Sequence, residues 1–305
     1  MPPIPDLPGE LRRLLAQVPS GRVTSFGDLA EALGDIGAAR WVATEIATLR
    51  DEMNPWHRVV KRTGELPGDA DRQRWQRQRL SAENAVREPL WTAFDSTRPL
   101  RALADWQTES ARLATFHEAL PLPDRVGAVD LSYVSDTEAI AAYAAVDAKT
   151  LQLVDSDFVR VSVPFPYIPG YLTFRELPAL LALVERVRDR IAPMILVDGS
   201  GRLHPRRFGV AVALGVLAGL RTVGVSKHRL CGRPRGGEGE ALWDGDELLG
   251  YRLDGGSKRR TMYVSPGSGT DAASAVAIVR AVWRERRSPE PIHWADAISR
   301  REAKQ

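Results

Sequence analysis

Three carboxylates occupy positions where a negative charge is expensive. Asp130 interrupts the apolar run VGAVDLSY, Glu176 lies in TFRELP, and Asp198 closes the run ILVDGSG. A carboxylate beside buried sheet is costly unless a cation or hydrogen bonds compensate it. Asp198 stands where a predicted parallel strand gives way to a glycine-rich turn, the carboxyl end at which α/β sheets place their sites. Taken singly, each acid is more often a turn or cap residue. Three on successive elements, with no Cys–His cluster near them, point to a hard ion held by oxygen: Mg²⁺, with Mn²⁺ the alternative. The chemistry this implies is metal-dependent phosphodiester hydrolysis. A second cluster, NPWHRVVKRTG, sets His57 and Arg58 behind a proline turn and Trp56. Indole has no lone pair to offer as a nucleophile, so this cluster suits stacking and binding rather than bond making.

Bulk properties agree with a nucleic-acid partner. The net charge is only +3, but residues 199–237 hold eight Lys or Arg and no acid. RQRWQRQR, residues 72–79, places four arginines in eight positions. Evenly solvated surfaces mix signs, so such stretches suggest a polyanion. At 305 residues the chain suits two modest domains. No apolar run is long enough for a bilayer, and MPPIPDLPGE lacks a signal-peptide core. The lone Cys231 cannot form an internal disulfide, which fits a reducing cytoplasm. A monomer without membrane association is the default expectation.

The elements that must position these residues fall into two textures. Residues 8–88 read as short helices: LRRLLAQV, SFGDLAEALG and GAARWVATEIATLR. Ser25 is the expected N-cap of the second, with Asp28 completing a capping box. The turn G-D-I-G then separates two helices in the manner of helix-turn-helix readers. EPLWTAFDSTRPL reads as a connector. Leu103, Trp106, Leu113, Phe116 and Leu120 fall on one face of a further helix. Beyond PLPDR, the segments RVGAVDLSY, AIAAYAAVDA, LQLVDSDFVRVSV, MILVDG and RTVGVS read as strands, with helices around 174–189 and 206–219. Strands in succession, then alternating with helices, predict a mixed α/β sheet.

VPSGRVTSFGDLAEALG, AARWVA, NPWHRVVKRTGELPG and GDADRQRWQRQRLSAENAV together resemble the DNA-binding domain of O6-alkylguanine DNA alkyltransferases. That family carries Pro-Cys-His-Arg, and here Trp56 fills the cysteine slot, as in the alkyltransferase-like proteins that bind alkylated guanine without repairing it. The resemblance implies that Arg40 fills the stack vacated by a flipped base. It implies that Phe26 stands where a tyrosine helps to rotate the nucleotide, and that Trp56, His57 and Arg58 form the lesion pocket. Alkyl transfer needs an activated thiolate, and position 56 supplies none.

VGAVDLSY, FPYIPGYLTFRELPAL, LVDGSGRLHPRRFGVA, TVGVSKHRLCG, VSPGSGTDAASA and PEPIHWADA resemble endonuclease V in order and nearly end to end. The resemblance implies a ribonuclease H-like fold and nicking at the second phosphodiester 3′ to deoxyinosine, leaving 3′-hydroxyl and 5′-phosphate ends. It makes Asp130, Glu176 and Asp198 the metal ligands, places His204 near the scissile phosphate, and assigns Lys227 to developing phosphate charge. Pro166, Tyr167, Ile168 and Pro169 become a wedge where the lesion base is extruded. Gly199 and Gly201 become points of close backbone approach to that base. The family reads S-P-G-H with the histidine near the metal; here Ser268 follows S-P-G, and Asp271 is the acid left to serve that place.

The combined expectation is an alkyltransferase-like domain of winged-helix or helix-turn-helix type over 1–89, a linker over 90–102, and an α/β, ribonuclease H-like endonuclease V domain over 103–305. The partner is DNA with deaminated or alkylated bases, with RNA the alternative substrate. The competing readings are a damage sensor that does not cut and an inosine-specific endoribonuclease.

Overall fold

The capping box predicted at Ser25 forms: its hydroxyl accepts from Asp28 N at 3.1 Å, and the Asp28 carboxylate accepts from Ser25 N at 3.1 Å. A computed structural model describes residues 1–49, 54–86, 88–117, 121–235, 240–255, 261–284 and 286–305. By its contacts the chain divides into one unit built on Pro2–Asp105 and another built on Trp106–Pro166 with Gly170–Gln305. In the first, α1 (Leu7–Ala16) begins before LRRLLAQV because Asp6 caps it through Gly9 N. Helices α2 (Phe26–Leu33) and α3 (Ala39–Thr48) follow, separated by Gly34 at φ +109° and a 3₁₀ turn, Ile36–Ala38. Strands β1 (Thr24–Ser25) and β2 (Val59–Val60) pair in parallel, and α4 (Ala70–Ala82) carries the arginine-rich run.

The segment read as a connector is strapped along this unit. Trp91 N donates to Val23 O at 2.7 Å, Asp95 N to the Gln17 side chain at 2.8 Å, and Ser96 Oγ to Ala32 O at 2.6 Å. Helix α5 (Pro99–Ser110) comes next and ends in a 3₁₀ turn, Ala111–Leu113. The predicted helix through Phe116 therefore stops early, and Leu113 and Phe116 are exposed; Leu120 lies outside the described residues. The backbone there finds other partners: Thr115 O accepts from Gly269 N and His117 O from Asp271 N.

In the second unit, nine strands among the described residues form one mixed sheet, ordered β5-β4-β3-β6-β7-β11-β10-β9-β8. The predicted strands are β3 (Arg125–Ser135), β4 (Glu138–Asp147), β5 (Leu153–Ser162), β6 (Ile195–Asp198) and β7 (Thr222–Ser226). Only β3, β6 and β7 run parallel, and they form the middle of the sheet. Not among those predicted are β8 (Arg233–Pro234), β9 (Ala241–Asp244), β10 (Glu247–Leu253) and β11 (Met262–Pro266). The D-G turn in ALWDGDELLGYRL is the signal that would have found the β9–β10 hairpin. Helices α6 (Leu172–Arg186) and α7 (Val210–Ala218) bury Val129, Ile195 and Val197 on one face. Helices α8 (Ala272–Ala281) and α9 (Glu290–Glu302) bury Ala128, Leu196 and Val225 on the other.

This alternation places the acids. Side chains along a strand alternate between faces, so Asp130 shares the α9 face with Ala128, and Asp198 shares it with Leu196. Val129 pairs with Val197 across β3 and β6, which sets Asp130 and Asp198 one step further on neighbouring strands. The turn after Asp198 is pressed against β7 and β11: a Cβ on Gly201 would stand 2.2 Å from Pro266 O. Gly201→Ala should therefore destabilise this unit by about 1–3 kcal/mol, read as a lower midpoint in chemical denaturation. An unchanged midpoint would contradict this packing.

Candidate active site and lesion pocket

A pocket of about 250 Å³ opens where β6 ends beside the middle of β3, and Asp130, Glu176, Asp198, Lys227, Asp296 and Arg300 line it. Asp130 and Glu176 are 8% and 9% exposed. Strand β3 supplies Asp130, which accepts from Ser299 Oγ of α9 at 3.1 Å. Helix α6 supplies Glu176, which accepts from the Tyr133 hydroxyl at 3.0 Å. Lys227, just beyond β7, pairs with Asp198 at 2.7 Å, and Arg300 pairs with Asp296 at 2.8 Å, one turn along α9.

Burial, then repulsion from Asp198 and Asp296, holds the Asp130 carboxyl well above the usual range. Burial lifts Glu176 to about 7, against the Tyr133 hydrogen bond that favours its charged form. For Lys227 burial opposes the charge, but Asp198, and then Asp130 and Asp296, outweigh it and hold the amine above its ordinary value. Four carboxylates thus face two cations, an imbalance that a divalent ion would correct. Buried oxygens without nitrogen or sulfur fit a hard cation. Among the described residues no three His, Cys, Asp or Glu side chains already stand in ligand positions. Lys227 holds Asp198 instead, and an ion bound here would have to draw the acids together in its place.

Several expectations change here. His204 does not line the acid pocket; it is 3% exposed, with Nε2 at 3.2 Å from Gly170 O and Nδ1 accepting from Arg206 N. Burial, then Arg206, lowers it to about 4, so it is neutral at ordinary pH. Gly199 N donates to Val225 O, and Gly201 N to Ser265 Oγ, so neither N–H is free to read a base edge. Ser268 sits at the start of β7, where its O accepts from Thr222 N, and is absent from the acid pocket. Asp271 caps α8 through Ser274 N. The additional acid of the pocket is Asp296, in the W-A-D of PEPIHWADA; reaching the same face as Ser299 and Arg300 at helical spacing is the signal for it. Tyr167, flanked by Pro166, Ile168 and Pro169, is 65% exposed.

In the first unit Trp56 opens a 3₁₀ turn, Trp56–Arg58. It is 6% exposed and stacks on Trp75 with centroids 4.6 Å apart and planes at 11°. The Arg72 guanidinium lies 4.0 Å from its ring centroid. The surface expected to receive a base is therefore already stacked. His57 Nε2 lies 2.9 Å from Glu83 Oε1, and Arg58 donates to Glu83 at 2.7 Å and to Val18 O at 2.7 Å. Burial opposes the charge on Glu83, but Arg58 and His57 outweigh it and hold the carboxyl near 2. Arg58 is engaged inside the unit, whereas Arg40 is exposed in the first turn of α3 and Phe26 is half-buried at the start of α2.

The raised Glu176 value has a consequence for stability. The fold favours its protonated form, so its contribution is whole below 4.5 and is lost as pH rises through about 7. In chelator, wild-type melting temperature should fall across that window. Glu176→Gln should flatten the fall and melt higher at about pH 8. Parallel melting curves for both proteins across the window would refute this.

The family model for endonuclease V matches residues 108–297, and that for the DNA-binding domain of 6-O-methylguanine DNA methyltransferase matches residues 9–85. Endonuclease V of Ignicoccus hospitalis is 42% identical over 178 residues, 58% of this chain and 82% of that protein. A Picrophilus torridus protein named bifunctional methyltransferase/endonuclease is 31% identical over 284 residues, 90% of each chain. The crystal structure of the catalytic domain of human endonuclease V aligns with a TM-score of 0.60 at 32% identity, covering 68% of this chain and 97% of that one. The chain belongs to the endonuclease V family and carries an alkyltransferase-like DNA-binding domain ahead of the nuclease.

Proposed function

We propose that the second unit nicks DNA at the second phosphodiester 3′ to deoxyinosine with Mg²⁺, and that the first binds O6-alkylguanine by base flipping without reacting with it. The nuclease reading rests on one observation: Asp130, Glu176, Asp198 and Asp296 line one pocket where two parallel strands stop pairing. A divalent ion held there by Asp130, Glu176 and Asp198 would polarise the scissile phosphate and acidify an attacking water. Lys227, released from Asp198, is in reach of the charge that develops on phosphate oxygen. Arg300, 66% exposed at its side chain, offers a second cation for the strand. Tyr167, exposed at its side chain, would wedge into the duplex where the base leaves. Attack at phosphorus breaks the bond to the 3′ oxygen and leaves 3′-hydroxyl and 5′-phosphate ends.

The sensor reading rests on chemistry withheld. Trp56 stands beside the His57–Glu83 pair, and its indole offers no nucleophilic lone pair for a base to activate. The relative from Picrophilus torridus is named for both activities; Trp56 limits this chain to binding on that side. Joining the units raises the local concentration of one at a site held by the other. The lone Cys231 accords with the cytoplasm, and among the described residues no helix is long and apolar enough to cross a membrane.

A labelled duplex with one deoxyinosine, with and without Mg²⁺, tests the first half. Wild type should nick only with the ion, and Asp198→Ala should lower the rate at least about a hundredfold. Binding without a nick would leave a sensor, and cutting confined to inosine in single-stranded RNA would make the chain a ribonuclease. For the second half, Arg40→Ala should weaken binding to an O6-methylguanine duplex about tenfold and that to undamaged duplex less, measured by anisotropy. Equal losses on both duplexes would reduce Arg40 to a backbone contact.

A further inference from the structure

The loop that carries Tyr167 ends at Gly170, and a closed set of buried polar groups meets there. Gly170 adopts φ +81°, and a Cβ on it would stand 3.0 Å from the Arg206 guanidinium. Its carbonyl accepts from Arg206 Nη2 and from His204 Nε2. Arg206 Nε donates to Gln107 Oε1 at 2.8 Å, and its guanidinium lies 4.5 Å from the centroid of the Tyr171 ring. Gln107 is wholly buried on α5, and its amide donates to Phe208 O at 3.1 Å. The Arg206 backbone N–H donates to His204 Nδ1 at 3.2 Å. That bond fixes the tautomer: Nε2 must carry the proton, and both ring nitrogens are then satisfied.

We propose that His204 is a positioning residue that fixes the base-recognition loop through the Gly170 carbonyl, and that Gln107 is its remote anchor through Arg206. This rests on the reading of the second unit as a base-recognising nuclease. A buried, fully bonded imidazole outside the acid pocket has no route to the scissile phosphate. Its work is done on the carbonyl three residues after Tyr167. Glycine at 170 lets the chain turn tightly enough for two donors to share that oxygen. Gln107 prevents the Arg206 guanidinium from swinging off the loop, because the amide is itself held by Phe208 O. Without this set, Tyr167 remains on the surface but loses a defined starting position, a loss paid at each encounter with a base.

The full-length protein with Mg²⁺ and a deoxyinosine duplex tests the proposal through the variants His204→Ala, His204→Gln and Gln107→Met. Glutamine can donate to Gly170 O and accept from Arg206 N, as the imidazole does. His204→Ala and Gln107→Met should raise KM about tenfold with kcat changed less than about threefold, while His204→Gln stays close to wild type. The pH profile of kcat should keep its shape in all three. In Ca²⁺, anisotropy should show preference for the deoxyinosine duplex over undamaged DNA lost in His204→Ala and retained in His204→Gln. This arm reports on the loop even if the wild type does not nick, an outcome that would sink the nuclease reading alone. Gln107→Met stands in if His204→Ala does not fold. A His204→Gln enzyme as impaired in kcat as His204→Ala, with a displaced limb in its pH profile, would assign His204 to proton transfer and overturn the proposal.

Discussion

Two carboxylates on neighbouring parallel strands, pointing to the same face one step past the last paired residues, are the constraint around which the second unit is arranged. Left alone, Asp130 and Asp198 would repel across poorly hydrated space. Each surrounding element answers part of that cost. Helix α9 brings Ser299 to Asp130, β7 ends where Lys227 can reach Asp198, and Tyr133 on β3 donates to Glu176. Asp296 then adds further negative charge, balanced in part by Arg300. An arrangement that only needed stability would have used apolar side chains at these places. The persistence of charge here is an argument for chemistry.

Much of this was legible in the sequence because strand periodicity and acid placement are local signals. VGAVDLSY announces a buried strand interrupted by a carboxylate, ILVDGSG one that ends in a carboxylate, and the capping box at Ser25 is readable from two residues. Asp296 was hidden because it lies on a helix that is distant in sequence and ordinary in composition. What marks it is the neighbour it meets in space. The surroundings of His204 and Ser268 were hidden for the opposite reason: a motif carries residue identity but not direction. Position 268 follows a strand antiparallel to β7, which puts it at the opposite end from the acids. Gly201 serves close packing of backbone on backbone, an alternative that spacing alone does not separate from ligand approach. The early end of α5 reflects hydrogen bonds to a loop more than 150 residues away, Thr115 N to Ser268 Oγ among them.

The two units present different physics to a DNA partner. In one, charge is concentrated until an ion and a phosphate are the natural complement. In the other, aromatic and cationic surfaces alternate, Arg72 on Trp56 and Trp56 on Trp75, with Arg79 over Trp75. Such stacking is tolerant of sequence and supplies affinity without reactivity. The His57–Glu83 pair beside it meets an indole that offers no nucleophile, and the pair holds the turn in shape.

The strap formed by residues 89–98 decides where this polypeptide can be parted. Arg22 reaches Pro89 O, Trp91 is zipped to Val23, and Asp95 and Ser96 tie back to Gln17 and Ala32. A cleavage just after the last recognisable sensor motif would strip these partners from the smaller half and leave their amides and carbonyls to water. The strap therefore belongs with the helical unit and is no free linker between the two family matches. A protease seeking a slack tether between them would find this stretch already fastened down.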